Sequence, residues 1–333
     1  MLAHVGLLIR LVINCFAAAS LAALLPSVAL AQTAQWPAKP VKLIVAYPPG
    51  GTTDIAARLL AERLSAALSQ QVLVENRAGA GGMIGAQSVV RADPDGYTLI
   101  MAASPEVSIA PVTVKTMQYD PQKELQPIAL VGQVPFLLVA SPSFPPNSVA
   151  ELIAFAKANP DKVNYSSFGN NTSSHFAGEL FKVATGITSA HVPYKGSGPS
   201  IIDVMGGQIQ YTFDAPPAVL GHVQSGKLKA LAVATGKRLP NAPSVPTMAE
   251  AGFPAVAGGT WFGLLAPAKT PRAVVDRINA AANSVLSAPE LRKVFEDRGI
   301  VPGGGTPEEF GRFIASEITK WQQLAATVGI KPE

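Results

Sequence analysis

One pattern recurs along this chain and fixes its fold class: a short β-branched run, a turn rich in glycine, then an apolar helical face. Val41-Lys42-Leu43-Ile44-Val45-Ala46 reads as a buried strand. Tyr47-Pro48-Pro49-Gly50-Gly51 breaks it, Thr52-Thr53-Asp54 offers caps, and Ile55, Leu59, Leu60, Leu64 and Ala67 mark a helix face. Strand Val72–Glu75, glycine loop Gly79–Gly85 and a helix through Ala86, Val89 and Val90 repeat the sequence of events, and Tyr97–Ala102 is a third strand. Such alternation demands a parallel sheet with covering helices, an α/β fold.

The middle of the chain follows the same rule. Strands are expected at Val134–Ala140, Asn164–Ser167, Ala190–Tyr194, Gln208–Phe213, Lys229–Ala234 and Trp261–Ala266. Helices fall between them, after Ser148, after the polar loop Phe168–Ser174, and at Pro199–Met205 and Val219–Ser225. The last third is helical at Arg272–Leu286, Pro289–Arg298 and Pro307–Val328. Val134–Ala140 and Trp261–Ala266 each end in a turn with proline, and they read as two crossings between lobes. The expected organisation is residues 32–133 and 256–333 for lobe one and 134–255 for lobe two, with a cleft between them and hinge closure available. Length alone also suggests two domains.

Residues 1–31 read as a cleavable secretory signal: Arg10 as the positive region, an apolar run broken by Asn14, Ser20, Pro26 and Ser27, and Ala29-Leu30-Ala31 before the cut at Gln32. A membrane anchor needs roughly 20 uninterrupted apolar residues, and Pro26 sits badly in one. The expected location is the periplasm. Cys15, the only cysteine, leaves with the signal, so the mature chain has no disulfide and no thiolate ligand. Basic and acidic residues number 26 and 22. A balance so even and scattered gives no reason to expect nucleic acid as partner.

Two loops carry candidate chemistry. Tyr47–Asp54 brings glycines, which allow close backbone approach, to the start of a helix, whose free N–H groups and partial positive charge attract anions. It is neither a P-loop nor G-x-G-x-x-G. Gly169-Asn170-Asn171-Thr172-Ser173-Ser174-His175 does the same with short polar side chains. Taken singly, each loop fits a plain capped turn equally well.

Four stretches together resemble the tripartite tricarboxylate transporter receptor family, the Bug-type receptors: Tyr47–Asp54 (YPPGGTTD), Val74–Gly82 (VENRAGAGG), His191–Gly196 (HVPYKG) and Pro246–Gly252 (PTMAEAG). Tyr119-Asp120-Pro121, Pro127-Ile128 and Trp261 also fall where that family has them. The resemblance runs from about Trp36 to the C-terminus. It implies a type II periplasmic-binding-protein fold, no cofactor, and a cleft that closes on a small organic carboxylate: a di- or tricarboxylate, an aromatic acid or an amino acid. It implies a lobe-one wall of Tyr47, Gly50, Gly51, Thr52 and Asp54 with Gly82, Met83 and Ser104 beside it. It implies a lobe-two wall of Asn170, Asn171, Thr172, Ser173, Ser174 and His175, with Tyr194, Lys195 and Asp214 near its floor. The implied partners of a monomeric receptor are the membrane subunits of a tripartite tricarboxylate transporter; a sensor kinase is the other possibility. Asp54 is expected to cap its helix and order waters, since a carboxylate ligand would repel it.

Two departures from the family bear on the ligand. Phe168 stands where small residues are usual; in the cleft it favours a flat or apolar ligand body, in the core it says nothing. Glu106 follows Ser104 where small or polar residues are usual; facing the cleft it pairs with an amino group or repels a second carboxylate. As an enzyme, a periplasmic hydrolase, the chain offers little. It has no G-x-S-x-G elbow, and His175, His191 and His222 lack metal-ligand spacing. The adjacent Ser173, Ser174 and His175 lack a recognisable third partner.

Overall fold

The computed structural model describes residues 36–332. The expected signal peptide lies outside the described residues.

Two sheets organise the chain, and both lie in one compact unit that begins at Lys39. The first is built from β1 (Val41–Val45), β2 (Val72–Asn76), β3 (Thr98–Ala103), β4 (Leu125–Pro135), β10 (Gly259–Pro267) and β11 (Val301–Gly304), in the order β2-β1-β3-β10-β4-β11. The second holds β5 (Leu137–Ala140), β6 (Asn164–Ser167), β7 (Ala190–Pro193), β8 (Tyr211–Asp214) and β9 (Lys229–Val233), in the order β7-β6-β8-β5-β9. The two follow one plan. Each has a parallel trio, β2-β1-β3 or β7-β6-β8. Against the third strand of each lies an antiparallel neighbour, β10 or β5. The fold class is the α/β architecture that the alternation predicted, but the sheets are mixed and not wholly parallel, since the β10-β4-β11 ladder and the pairings of β5 with β8 and β9 are antiparallel.

The chain passes between sheets twice. Only Phe136 separates β4 from β5, so the run read as one strand over Val134–Ala140 divides between the sheets. On the return, Gly258 and Ala234 meet Phe136: its N–H donates to Gly258 O (3.0 Å), and Ala234 N–H donates to its carbonyl (2.8 Å). The expected strand also begins too late, because β4 starts at Leu125. Pro127 hides it, since proline lacks the ladder N–H. It is tolerated because β11 covers β4 only around Leu130–Gln133.

Helices cover both sheets: α1 (Thr52–Leu68), α2 (Met83–Val90), α3 (Val149–Ala158), α4 (Ser173–Thr185), α5 (Ser197–Met205), α6 (Pro216–Gln224), α7 (Arg272–Ser287), α8 (Pro289–Glu296) and α9 (Pro307–Val328). Ile44, Ile100, Trp261, Leu265 and Phe310 belong to one core; Leu137, Val139, Val204, Val219 and Val233 belong to another. The α9 helix, opened by a Thr306–Glu309 capping box, links the two halves. Its Trp321 packs edge-on against Phe176 of α4, ring centroids 5.2 Å apart.

Candidate functional site

In open α/β sheets, ligands meet the carboxyl ends of the parallel strands. Here both parallel trios deliver their ends to one cleft. Tyr47 follows β1, Ala103 ends β3, Phe168 follows β6 and Ala215 follows β8, and all four line a chamber of about 340 Å³.

The first wall is set by Asp54. Two prolines strip N–H groups from the turn, and Gly50 turns the chain with φ +83°. Gly50 N–H donates to Asp54 Oδ2 (3.0 Å), and Arg58 Nε donates to the same oxygen (2.9 Å). Asn76 Nδ2 donates to Asp54 Oδ1 (2.9 Å) and to Tyr47 O (3.0 Å). Burial pushes the Asp54 carboxyl up, but the hydrogen bonds from Arg58, Gly50 and Asn76 outweigh it and hold it below its ordinary value. The N-cap itself is Gly51, with no side chain to cap. Thr52, Thr53 and Asp54 therefore lie inside the first turn and are not caps. Ile55 N–H bonds back to Gly51 O (3.0 Å), so the N–H groups ahead of it have no partner within the helix.

The second wall is braced by neutral groups. Gly169 has φ +134°. The Thr172 hydroxyl donates to Gly169 O (2.8 Å) and accepts the His175 N–H (3.4 Å). Asn171 N–H donates to His175 Nδ1 (3.2 Å), and the His175 ring stacks on His191 at 4.1 Å. The other edge of His191, Nε2, lies 2.6 Å from Ser167 Oγ. Burial, then the neighbouring His175, drives the His191 imidazole down to about 4. A third wall follows β7. Gly196, with φ +110°, leads into α5, and Gly196, Ser197, Gly198 and Pro199 line the chamber.

The first turns of α1, α4 and α5 thus converge on the chamber from both sheets. Ala215, the N-cap of α6, adds a fourth, but Pro216 and Pro217 remove its donors. Lys195 is the one charged side chain in the lining. Two acids stand behind the walls, both buried. Glu106 accepts from the Tyr47 hydroxyl (2.6 Å) and from Ala103 N–H (2.7 Å). Asp214 accepts from the Ser197 hydroxyl (2.7 Å) and from Ala215 N–H (2.6 Å). Burial raises each to about 7, against the pull of those hydrogen bonds.

The expected site residues therefore divide. Tyr47, Gly50, Gly51, Thr52, Phe168, Thr172, Ser173 and Lys195 line this chamber. Gly82, Met83, Asn170, Asn171 and Tyr194 line a second cavity of about 680 Å³, which shares Tyr47, Pro48, Pro105, Phe168, Lys195 and Gly196 with the first. Asp54, Ser104, Ser174, His175 and Asp214 line neither and act from behind: Ser104 Oγ pairs with Thr260 Oγ1 (3.0 Å), and Ser174 Oγ donates to Phe213 O (2.9 Å). Sequence reasoning missed Ser197–Pro199, although Gly196-Ser197 is the same glycine-then-helix signal. It also missed Thr260 and Phe262, whose positions depend on the returning strand. Among the described residues, no group of His, Cys, Asp and Glu could hold a metal ion, and no helix is long and apolar enough to cross a membrane.

Residues 56–330 match the family described as tripartite tricarboxylate transporter family receptor. Protein BugT of Bordetella pertussis is 37% identical over 297 residues, 89% of this chain and 91% of that protein. A solved structure of a periplasmic transporter is 41% identical, with a TM-score of 0.86 over 89% of this chain and 99% of its own. Another, R. palustris Rpa4515 with adipate, is 36% identical, with a TM-score of 0.87 over 90% of this chain and all of its own (100%). The chain belongs to the tripartite tricarboxylate transporter receptor family, periplasmic solute-binding receptors and not enzymes.

Proposed function

We propose that this chain captures a small organic carboxylate by closing residues 32–133 and 256–333, as one lobe, onto residues 134–255, as the other. It then presents the closed form to the membrane subunits of a tripartite tricarboxylate transporter. The observation that carries the reading is the convergence of the α1, α4 and α5 N-termini on one chamber whose lining holds no acidic side chain. Helix N-termini supply N–H donors and a partial positive charge of about half an elementary charge each. The carboxylate is held by these groups and by the Thr52, Thr53 and Ser173 hydroxyls. The ligand bridges walls from both sheets, so it binds the closed form better and shifts the population toward it. The test is calorimetry and thermal shift on the mature chain, unfolded and refolded to strip carried ligand, against organic acids and their amides. A ligand at 100 times its Kd adds about 2.7 kcal/mol. Stabilisation by an acid and not by its amide is the expected result; equal response to both would remove the carboxylate from the reading.

A further inference from the structure

The two cavities of the cleft meet at a neck. Tyr47 and Pro48 form one side of it, and Phe168, Lys195 and Gly196 the other. The sides come close: a methyl group on Gly196 would stand 3.8 Å from Pro48 Cδ. Phe168 is half-buried here, and its ring is held edge-on by Phe136 at 5.8 Å and 89°. Phe136 is fully buried at the crossing between the sheets, so the Phe168 ring is fixed by the most constrained point of the chain. Apart from the first-turn hydroxyls, Thr260 and Lys195, the smaller chamber is largely apolar, with Phe262, Pro105 and Pro199 among its walls.

The hydroxyls of Tyr47 and Ser197 are not donors to a ligand. Each gives its hydrogen to a buried acid, Glu106 or Asp214, and so turns only lone pairs toward the cleft. Gly82 in the larger cavity lies against Glu106 as well, since a methyl group there would stand 2.8 Å from Glu106 Oε2. One carboxylate is served by the helix N-termini. Past the neck, those lone pairs and the buried Glu106 on the Tyr47 side face Lys195, which lines both cavities, on the other.

We infer, on the reading of the chain as a carboxylate receptor, that its ligand is a carboxylate with a flat aromatic body, the carboxylate among the helix N-termini and the ring against Phe168. Aromatic pairs gain beyond their buried area when rings stack offset or edge-to-face. The experiment is titration calorimetry on stripped protein with benzoate, phenylacetate, adipate, succinate and benzamide, for the wild type, Phe168→Ser and Phe168→Leu. We expect benzoate or phenylacetate to bind at least tenfold tighter than either aliphatic diacid. We expect that ratio to fall at least tenfold in Phe168→Ser and about threefold in Phe168→Leu, which keeps the volume if the serine variant does not fold. A diacid binding as tightly as both aromatic acids, or a ratio unmoved in the folded variants, overturns the aromatic ligand and leaves the carboxylate reading standing. Benzamide binding as well as benzoate, or no acid binding at all, overturns the carboxylate reading and this inference with it.

Discussion

The loops before α1 and α4 face the same chamber but are held by different chemistry. The first hangs on an ionised acid, Asp54, which takes hydrogen bonds from a backbone N–H, a guanidinium and an amide. The second hangs on hydroxyls and two stacked imidazoles. Charge-assisted bonds are about twice as strong as neutral ones, so one loop depends on one residue while the other spreads its support. The largest test follows directly. Asp54→Ala leaves three donors of the loop and its neighbours without their acceptor, and should cost about 3 kcal/mol in chemical denaturation with at least tenfold weaker binding. A loss no greater than that of Thr172→Ala would erase the contrast.

Next in size is a change of ligand space without a change of fold. Gly51 has φ −77°, within reach of any residue, and a methyl group there meets only Pro48 O at 3.8 Å. Gly51→Val should therefore fold with an unaltered melting temperature and bind at least tenfold more weakly in calorimetry, because its side chain occupies the chamber. Retained affinity would remove this loop from the ligand wall. Smaller again is Thr172→Ala. It removes an N-cap whose bond to the His175 N–H is long, 3.4 Å, and should cost about 1 kcal/mol in chemical denaturation. The Ser167 hydroxyl still donates to Gly169 O (3.0 Å) and keeps the turn.

The same contrast explains what the sequence made legible. Strand, glycine turn and helix are local events, and period and glycine spacing place β1, α1, β6 and α4 within a residue or two. The two loops were visible for that reason. What lay hidden depends on partners distant in sequence. Pro127 looked like a break because nothing local says that β11 stops short of it. Val301-Pro302-Gly303-Gly304 reads as a turn and becomes a strand only beside β4. Phe168 had two readings, core or cleft, and its ring lies against Phe136 in the lining of the cleft. Asp54, His175 and Asp214 carry the right polarity for a ligand wall, yet each spends its hydrogen-bonding capacity on the loop it supports.

The finest comparison sets the buried acids against the buried imidazole, and pH separates them. Glu106, beside the first wall, rises from an ordinary 4.5 to about 7, and Asp214, beside the second, from 3.8 to about 7. For an acid whose folded value is raised, the folded chain holds a proton that the unfolded chain has lost. Its stabilising share is complete below about pH 4 and is lost as pH rises through 7. His191 runs the other way: with a folded value near 4 against 6.5, its share is complete above 6.5 and is lost as pH falls toward 4. Between pH 6.5 and 4.5 the effects oppose each other, but two acids act against one imidazole, so stability should still rise, less steeply, as pH falls. Between pH 6.5 and 8 only the acids act, so ligand-free protein should melt lower at pH 8 than at pH 6.5. Asp214→Asn and Glu106→Gln should each shrink that difference, and His191→Gln should leave it intact while steepening the rise in stability toward pH 5. A pH 6.5-to-8 difference untouched by both acid variants would mean that neither acid is the group that titrates there.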